Sequence, residues 1–122
     1  MPLPSLLIID DEVDLGEIIA EYLAGTFSST VCSDPQKAVD LIKNNHFDLI
    51  LSDLQMPHID GFGIIELTMS LSPQIPVVIL TGHSQFDPFS KKALEAGAKG
   101  ILVKPLESPT KLASFLRQFL NN

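Results

Sequence analysis

Cysteine is almost absent from this 122-residue chain, because Cys32 is its only one. A single thiol excludes an intramolecular disulfide, and we expect Cys32 to fill space near the end of a strand. No apolar run is long enough to cross a bilayer, and the N-terminus lacks the basic start and long apolar stretch of a signal peptide. The sequence therefore predicts a cytoplasmic protein.

Basic residues are also scarce, with 8 against 15 acidic ones and a net charge of −7. Such a charge repels nucleic acid and anionic membrane surfaces, which argues against either as a direct partner. Linkers, repeats and low-complexity segments are lacking as well. With 45% hydrophobic residues, the chain can build one core, and we expect a single domain over residues 1–122.

Four short apolar runs have the composition of buried strands, and each ends directly before a polar signature. The runs are residues 6–9, 49–52, 76–80 and 100–103, and the residues that follow them are Asp10-Asp11, Asp53, Thr81 and Lys104. Segments with helical periodicity separate the runs, which predicts an α/β fold with a parallel sheet. Because parallel strands end at one edge of the sheet, the four signatures are expected to form one site there.

Turn and capping signals predict ten alternating elements. Strands are expected near 5–9 and 27–32, a helix from Asp60-Gly61 through Leu71, and a final amphipathic helix that includes Phe119 and Leu120. An N-cap residue before proline starts three further segments. These are Asp34-Pro35, Asp87-Pro88 and Ser108-Pro109, while Gly25 and Gly97 are expected to end helices.

The chemistry of the predicted edge follows from its charges. Three carboxylates, from Asp10, Asp11 and Asp53, would repel one another unless a cation neutralises them. Oxygen ligands without His or Cys favour a hard ion, and a partial carboxylate shell suits Mg²⁺. A carboxylate beside Mg²⁺ can attack phosphorus and form an aspartyl phosphate. Lys104 and Thr81 can then hold the other phosphoryl oxygens.

Each of these residues also has a simpler interpretation. Asp11 alone would be a cap of the first helix, Thr81 alone a turn residue, and Lys104 alone a solvated surface charge. The Asp10-Asp11 pair and Asp53 follow strands that end at the same edge of the sheet, as Thr81 and Lys104 also do. This shared placement favours metal binding by the three carboxylates.

In these residues the chain resembles the receiver domain of two-component response regulators, over nearly its whole length. The motifs are Asp10-Asp11, residues 53–57 through Asp60-Gly61, Thr81-Gly82, residues 95–98, and Lys104-Pro105. The resemblance implies a flavodoxin-like, doubly wound fold, with a five-stranded parallel sheet of order 2-1-3-4-5 and helices on both faces.

The resemblance also implies roles for the site. Asp53 is expected to accept a phosphoryl group from a phosphohistidine on a sensor histidine kinase or a phosphotransfer protein. Asp11, Asp53 and the backbone carbonyl of Gln55 are expected to bind Mg²⁺, with Asp10 assisting through water. Thr81 and Lys104 are expected to sense the phosphorylated state.

Further positions carry expectations from the same resemblance. The Lys104-Pro105 peptide is expected to be cis, and Gln55 and His83 occupy positions that tune dephosphorylation. The chain departs from the family at Ile101, where an aromatic switch residue is usual, and the segment from Thr81 to Gly97 is about one residue longer than usual.

Three function classes are open at this point. The favoured one is a signalling domain that catalyses its own phosphorylation and dephosphorylation but turns over no independent substrate, and is not otherwise an enzyme. Its downstream partner is expected on the face formed by the fourth helix, fifth strand and fifth helix. The second is a receiver-like interaction module that needs no phosphate. The third, a flavodoxin-type carrier or an aspartate-based phosphohydrolase, conflicts with the acidic first loop and the short chain.

The chain fits a stand-alone regulator, and a receiver fragment of a larger response regulator or hybrid kinase would look the same.

Overall fold

A computed structural model describes residues 2–54, 61–71, 74–82, 84, 86–104 and 108–120. Strands and helices alternate along these residues, as the sequence predicts. The strands are β1 (Ser5–Ile9), β2 (Ser28–Cys32), β3 (Leu49–Asp53), β4 (Val77–Thr81) and β5 (Gly100–Val103). The helices are α1 (Val13–Tyr22), α2 (Pro35–Asn44), α3 (Gly61–Met69), α4 (Pro88–Ala96) and α5 (Pro109–Arg117).

The five strands form one parallel sheet in the order β2-β1-β3-β4-β5, which confirms the predicted topology. From β1 the chain first winds outward to β2 and then returns to the other side, where β3 pairs with β1. The direction of winding therefore reverses between β1 and β3. In open α/β sheets this reversal leaves a crevice at the carboxyl ends of the two strands, where ligands bind.

The sheet separates two apolar cores because neighbouring residues of a strand point to opposite faces. Leu7 and Ile9 of β1 belong to the core that includes residues of α2, α3 and α4. Leu6 and Ile8 belong to the core that includes residues of α1 and α5. Because helices cover both faces of the sheet, the central strands are nearly continuous apolar runs.

The three predicted N-caps are confirmed. Asp34 accepts a hydrogen bond from the backbone N–H of Gln36, Asp87 from that of Phe89, and Ser108 from that of Lys111. A proline follows each cap, where its missing N–H leaves no helical bond unmade. Gly97 ends α4 with a φ of 127°, a left-handed conformation that glycine adopts without strain.

Helix α3 ends at Met69, two residues before the predicted end. Ser70 N donates to the carbonyl of Leu67 at 3.1 Å, so the last turn tightens, and the Ser70 hydroxyl binds the same carbonyl at 2.6 Å. A hydroxyl that competes for helical carbonyls favours termination. Smaller differences are that β2 begins at Ser28, not Phe27, and that α5 ends at Arg117, with Phe119 in the turn after it and Leu120 beyond that turn.

At the opposite end of the sheet, Asp48, just before β3, is hydrogen-bonded to Ser5 at the start of β1. The sequence did not indicate this arrangement. The Oδ2 of Asp48 accepts the Ser5 N–H at 2.8 Å and the Ser5 hydroxyl at 3.2 Å, and its Oδ1 lies 2.8 Å from Nε2 of His46. His46 is exposed just after α2. The Ser5 N–H, with the His46 side chain, holds the pKa of the Asp48 carboxyl below its usual 3.8.

None of the helices in the described part of the chain is both long and apolar enough to cross a membrane.

Replacing Asp48 should weaken the fold in a pH-dependent way. We expect Asp48→Ala to lower the free energy of unfolding by about 1–2 kcal/mol at neutral pH, because the Ser5 N–H loses a charged acceptor. A depressed folded-state pKa stabilises above the unfolded value and loses that effect as the pH falls. The difference between the variant and the original protein should therefore shrink below about pH 4 in urea titrations.

Asp40→Ala is the matched control, since Asp40 is an exposed acid on α2. It should change the free energy of unfolding by no more than about 0.5 kcal/mol. If Asp48→Ala lowered the free energy of unfolding by the same amount down to about pH 3, the hydrogen bond from the Ser5 N–H to a charged Asp48 would be contradicted.

Candidate functional site

Three carboxylates meet at the carboxyl ends of β1 and β3. Asp10 and Asp11 follow β1 directly, and Asp53 is the last residue of β3. One carboxylate oxygen from each lies within 4.8 Å of the others. The structure thus brings Asp53 next to a pair of residues that lies more than forty positions earlier in the sequence.

Backbone hydrogen bonds to neighbouring strands hold this edge. Asp10 N donates to the carbonyl of Cys32 at 3.1 Å, beyond the last pair of β1 and β2. Lys104 N donates to the carbonyl of Thr81 at 2.8 Å, beyond β5. The backbone N–H of Leu54, next to Asp53, donates to the carbonyl of Leu80 at 3.2 Å. The side chains at the edge are therefore positioned by the sheet ladder itself.

Asp10 has an unusual environment for a carboxylate, because the residue is 0% exposed. Its Oδ1 accepts the Glu12 N–H at 2.9 Å. Its Oδ2 is buried and has no hydrogen-bond partner within the described structure. A buried oxygen left without a donor carries a large desolvation penalty, so this atom is suited to a cation.

Asp11 is exposed and does not cap α1. The N-cap residue is Glu12, which makes no capping bond through its side chain. The interpretation of Asp11 as a helix cap is therefore wrong, and its carboxylate is turned to the cluster with Asp10 and Asp53.

Burial raises the pKa of the Asp10 carboxyl from 3.8 to about 6, and the nearby Asp53 carboxylate adds to the increase. The Glu12 N–H and the Lys104 ammonium lower the same pKa in part. Like charges in a poorly solvated site disfavour ionisation, so the cluster favours either a proton or a cation.

Thr81 and Lys104 lie at the same edge on the other side of β3. Thr81 ends β4 and is buried, and Lys104 follows β5 and is half-buried. The positive charge of Lys104 partly lowers the pKa of the Asp10 carboxyl. A residue with a hydroxyl and a residue with a positive charge thus lie at the sheet edge that carries the acidic cluster.

Gly61, at the start of α3, packs directly behind Asp53. Its N–H donates to the Leu54 carbonyl at 2.9 Å, and a Cβ built on it would lie 2.8 Å from the carbonyl oxygen of Asp53. Any larger residue would push α3 away from the end of β3.

Three predicted positions, Gln55, His83 and Pro105, lie outside the described residues. Ile101, at the atypical switch position, is half-buried on β5, pairs with Ile79 and packs against the core on the α4 side.

Sequence reasoning missed Ser90. Its hydroxyl is fully buried and donates to the carbonyl of Ser84 at 3.1 Å, and Asp87 N donates to the same carbonyl at 3.0 Å. These bonds fasten the segment after β4 to the first turn of α4. The available signal was a serine three positions before Ala93, on the apolar side of the predicted helix.

Residues 6–117 match the family model of the response regulator receiver domain. The chain therefore belongs to the response regulator receiver domain family. Its function is that of a receiver domain of two-component signal transduction, and the acidic edge is consistent with phosphoryl acceptance. Such a domain interacts with histidine kinases or phosphotransfer proteins.

Curated relatives carry the same domain within longer chains. The transcriptional regulatory protein ZraR of Escherichia coli strain K12 is 30% identical over 104 residues, which are 84% of this chain and 23% of that protein. The autoinducer 1 sensor kinase/phosphatase LuxN of Vibrio campbellii is 36% identical over 120 residues, which are 98% of this chain and 13% of that protein. The chain thus spans 13% to 23% of the length of these relatives.

Solved structures support the same assignment. The chemotaxis response regulator CheY4 of Vibrio cholerae superposes with a TM-score of 0.85 at 26% identity, covering 97% of this chain and 99% of that one. The Francisella response regulator 1452 receiver domain has a TM-score of 0.82 at 26% identity, covering 95% of both chains.

The buried Asp10 carboxyl should make the metal-free protein less stable as the pH rises. A raised folded-state pKa means that the folded state binds the proton more tightly, so the free energy of unfolding falls between about pH 4 and 6. Asp10→Asn keeps an acceptor for the Glu12 N–H and removes the charge. With chelator present, we expect the variant to be more stable at neutral pH by up to about 3 kcal/mol.

Urea unfolding at a series of pH values measures this effect. The two proteins should have similar stabilities near pH 4, with the difference growing toward pH 6. An Asp10→Asn variant that is less stable than the original protein at neutral pH would refute the unfavourable burial of this charge.

Proposed function

We propose that this receiver domain accepts a phosphoryl group on Asp53 from a phosphohistidine of a sensor histidine kinase or a phosphotransfer protein. One observation carries the proposal: three carboxylate oxygens converge within 4.8 Å at the end of the sheet where Thr81 and Lys104 also lie. We treat residues 1–122 as a single domain of this kind.

The donor set fits Mg²⁺. The three carboxylates offer only oxygen, and the partnerless Oδ2 of Asp10 supports a cation at this place. Asp11, Asp53 and the backbone carbonyl of Gln55 would bind the ion, with Asp10 assisting through water. When bound, the ion neutralises the carboxylates and the phosphoryl oxygens that approach them.

Asp53 is the proposed nucleophile. It ends a central strand, between β1 with its acidic pair and β4 with Thr81. One carboxylate oxygen forms a bond to phosphorus while the bond between phosphorus and the donor imidazole breaks. The imidazole nitrogen keeps the electron pair of that bond and takes a proton from solvent. Attack by water on the aspartyl phosphate later releases inorganic phosphate and restores Asp53.

Thr81 and Lys104 are proposed to hold the transferred group. The Thr81 hydroxyl can donate a hydrogen bond to one phosphoryl oxygen, and the Lys104 ammonium can pair with another. Their backbones are joined by the bond from Lys104 N to the Thr81 carbonyl, so both respond to the same event.

The domain is proposed to catalyse only its own phosphorylation and dephosphorylation. Side chains at Gln55 and His83 are proposed to tune the access of water to the phosphoryl group. The cis peptide before Pro105 and the cytoplasmic location stay predictions from the sequence.

Partners beyond the phosphodonor are also proposals. The relatives include a transcriptional regulator and a sensor kinase, both longer than this chain, so the domain can serve in a regulator or in a hybrid kinase. The downstream partner is proposed to bind the face formed by α4, β5 and α5. Strand β5 pairs with β4, which ends at Thr81, and Lys104 follows β5 directly.

Phosphorylation of Asp53 can be tested without knowing any partner. After treatment with acetyl phosphate and Mg²⁺, the intact mass should increase by one phosphoryl group, and chelator should prevent this because the acidic cluster then lacks its cation. Asp53→Ala should abolish the gain, whereas Asp48→Ala, at the opposite end of the sheet, should retain it.

A gain that persists in Asp53→Ala would show that another residue is the acceptor. A gain that is equal with chelator would exclude the metal. If the original protein gained no mass, the phosphate-independent interaction module would be favoured.

With Ile101 at the switch position, we expect an unusual structural response to phosphorylation. Its β-branched side chain is restricted mainly to one χ1 rotamer, and it has no hydroxyl, so it offers little difference in interaction between two states. We expect phosphorylation to change amide exchange weakly at β5 and more strongly in the loop from Gly82 to Phe89. Hydrogen exchange with and without a phosphoryl mimic measures this. A dominant response at β5 that Ile101→Ala removes would show that isoleucine is the switch.

A further inference from the structure

The two edge strands of the sheet differ in their protection against a further strand. Strand β5 lies between Lys99 and Lys104, and lysines beside an edge strand discourage strand addition. Strand β2 has no such protection, because residues 22–33 contain neither a charged side chain nor a proline. Its register with β1 runs from Ser28 to Cys32 without a bulge. Strand β2 therefore offers a regular edge.

The bonds between β2 and β1 show which backbone groups of β2 are already used. Ser28 N donates to the carbonyl of Pro4 at 2.9 Å, and Asp10 N donates to the carbonyl of Cys32 at 3.1 Å. Along a parallel strand, the residues that bond to one neighbour alternate with residues that face the other side. The even-numbered residues of β2 thus bond to β1, and the odd-numbered residues face outward.

Ser29 and Val31 are the residues of β2 that face outward. Within the described residues β2 pairs with no strand except β1, so their N–H and carbonyl groups are available to a further strand. The Oγ of Ser29 is also buried and has no hydrogen-bond partner among the described residues. Polar groups collected in this way at one edge suit hydrogen bonds to an added strand.

A groove beside β2 can receive side chains of such a strand. It runs between the end of β2 and α2, and its lining includes Val31, Leu41 and Asn44. Thr30 is exposed, so α2 leaves this part of the edge uncovered. An extended segment places alternate side chains on opposite faces of a sheet, and those on the α2 face would enter the groove.

The charge around β2 selects the chemistry of the occupant. Helix α1 packs on β2, where a Cβ built on Gly16 would lie 2.7 Å from Cγ1 of Val31. On α2, the two lysines are balanced by Asp40 and the N-cap Asp34. The surroundings of β2 are therefore acidic and favour basic side chains. The charged residues of α1 are all acidic and exposed, and they are Asp14, Glu17 and Glu21.

A second copy of the chain is a poor occupant for the same reason. Antiparallel pairing of two β2 strands is symmetric, so it would bring the acidic α1 of each copy toward that of the other. Each copy also has a net charge of −7. A basic segment of another protein meets neither obstacle.

We propose that β2 binds an extended, basic segment of a partner protein as a sixth strand of the sheet. The segment bonds through its backbone to the outward groups of Ser29 and Val31. Its basic side chains lie on the face that carries α1, and its other side chains enter the groove beside α2. This docking uses no group of the phosphorylation site, so it does not rest on the proposed function.

A synthetic peptide tests the edge directly. It alternates Lys and Val and carries N-methyl groups on every Lys amide, so that it cannot form extended sheets. In NMR hydrogen exchange, saturating peptide should slow the amides of Ser29 and Val31 at least about tenfold, because these N–H groups gain acceptors. The amides of β5 should not respond.

Two matched peptides separate backbone bonding from charge. One carries Glu in place of every Lys, and the other carries N-methyl groups on every residue. Both should bind at least about tenfold more weakly than the Lys/Val peptide, because the first is repelled by α1 and the second cannot donate backbone hydrogen bonds.

Two double variants with the same change in net charge test the selection by charge. Glu17→Lys with Glu21→Lys should weaken binding of the Lys/Val peptide about tenfold or more, whereas Glu66→Lys with Glu95→Lys, at exposed positions of α3 and α4, should weaken it no more than about threefold. Val31→Pro removes one outward N–H and leaves the bonds to β1 in place, so it should weaken binding without a change of charge.

Several results would overturn the proposal. These are unchanged exchange at Ser29 and Val31 with excess Lys/Val peptide, equal binding of either matched peptide, or equal losses in the two double variants. A dimer of the original protein in which both amides are protected without peptide would assign the edge to a second copy. If Val31→Pro does not fold, the fully N-methylated peptide tests the same bonds on the original protein.

Discussion

Electrostatic repulsion among Asp10, Asp11 and Asp53 follows directly from the parallel pairing of β1 with β3. The register places Ile9 beside Ser52, so the next residue of each strand carries a carboxylate at the same height of the sheet. Carboxylates this close would normally move apart. Here the backbone bonds at the strand ends hold them. Burial, with a smaller contribution from the Asp53 carboxylate, raises the pKa of the Asp10 carboxyl.

The rest of the fold maintains this geometry. Two apolar cores lie on opposite faces of the sheet and keep β1 and β3 in register, since a shift of one residue would turn buried side chains outward. Gly61 lets α3 approach the carbonyl of Asp53 so closely that any side chain would displace it. Unfavourable charge at one edge is therefore offset by apolar burial elsewhere, as is common at functional sites.

Local signals explain which features could be predicted from the sequence. The caps at Asp34, Asp87 and Ser108 involve residues at most three positions apart, so their meaning is visible without the fold. The convergence of Asp10 with Asp53 was predictable because alternating strands and helices force a parallel sheet.

Other features depend on contacts between distant residues or on competing weak bonds. The pairing of Asp48 with Ser5 spans 43 positions and appears only once β1 and β3 are adjacent. The early end of α3 reflects competition of the Ser70 hydroxyl for a helical carbonyl, which a periodic pattern does not show. Likewise, the burial of Asp10 could not be inferred from an acidic pair whose second member, Asp11, is exposed.

The central claim is that the three carboxylates act as one cation site. Carbon-13 NMR of the side-chain carboxyls during a Mg²⁺ titration tests it most directly. The account predicts that the resonances of Asp10, Asp11 and Asp53 all shift with one common dissociation constant, while the carboxyl of Asp48 does not respond. Separate dissociation constants, or a response of Asp11 alone, would contradict it.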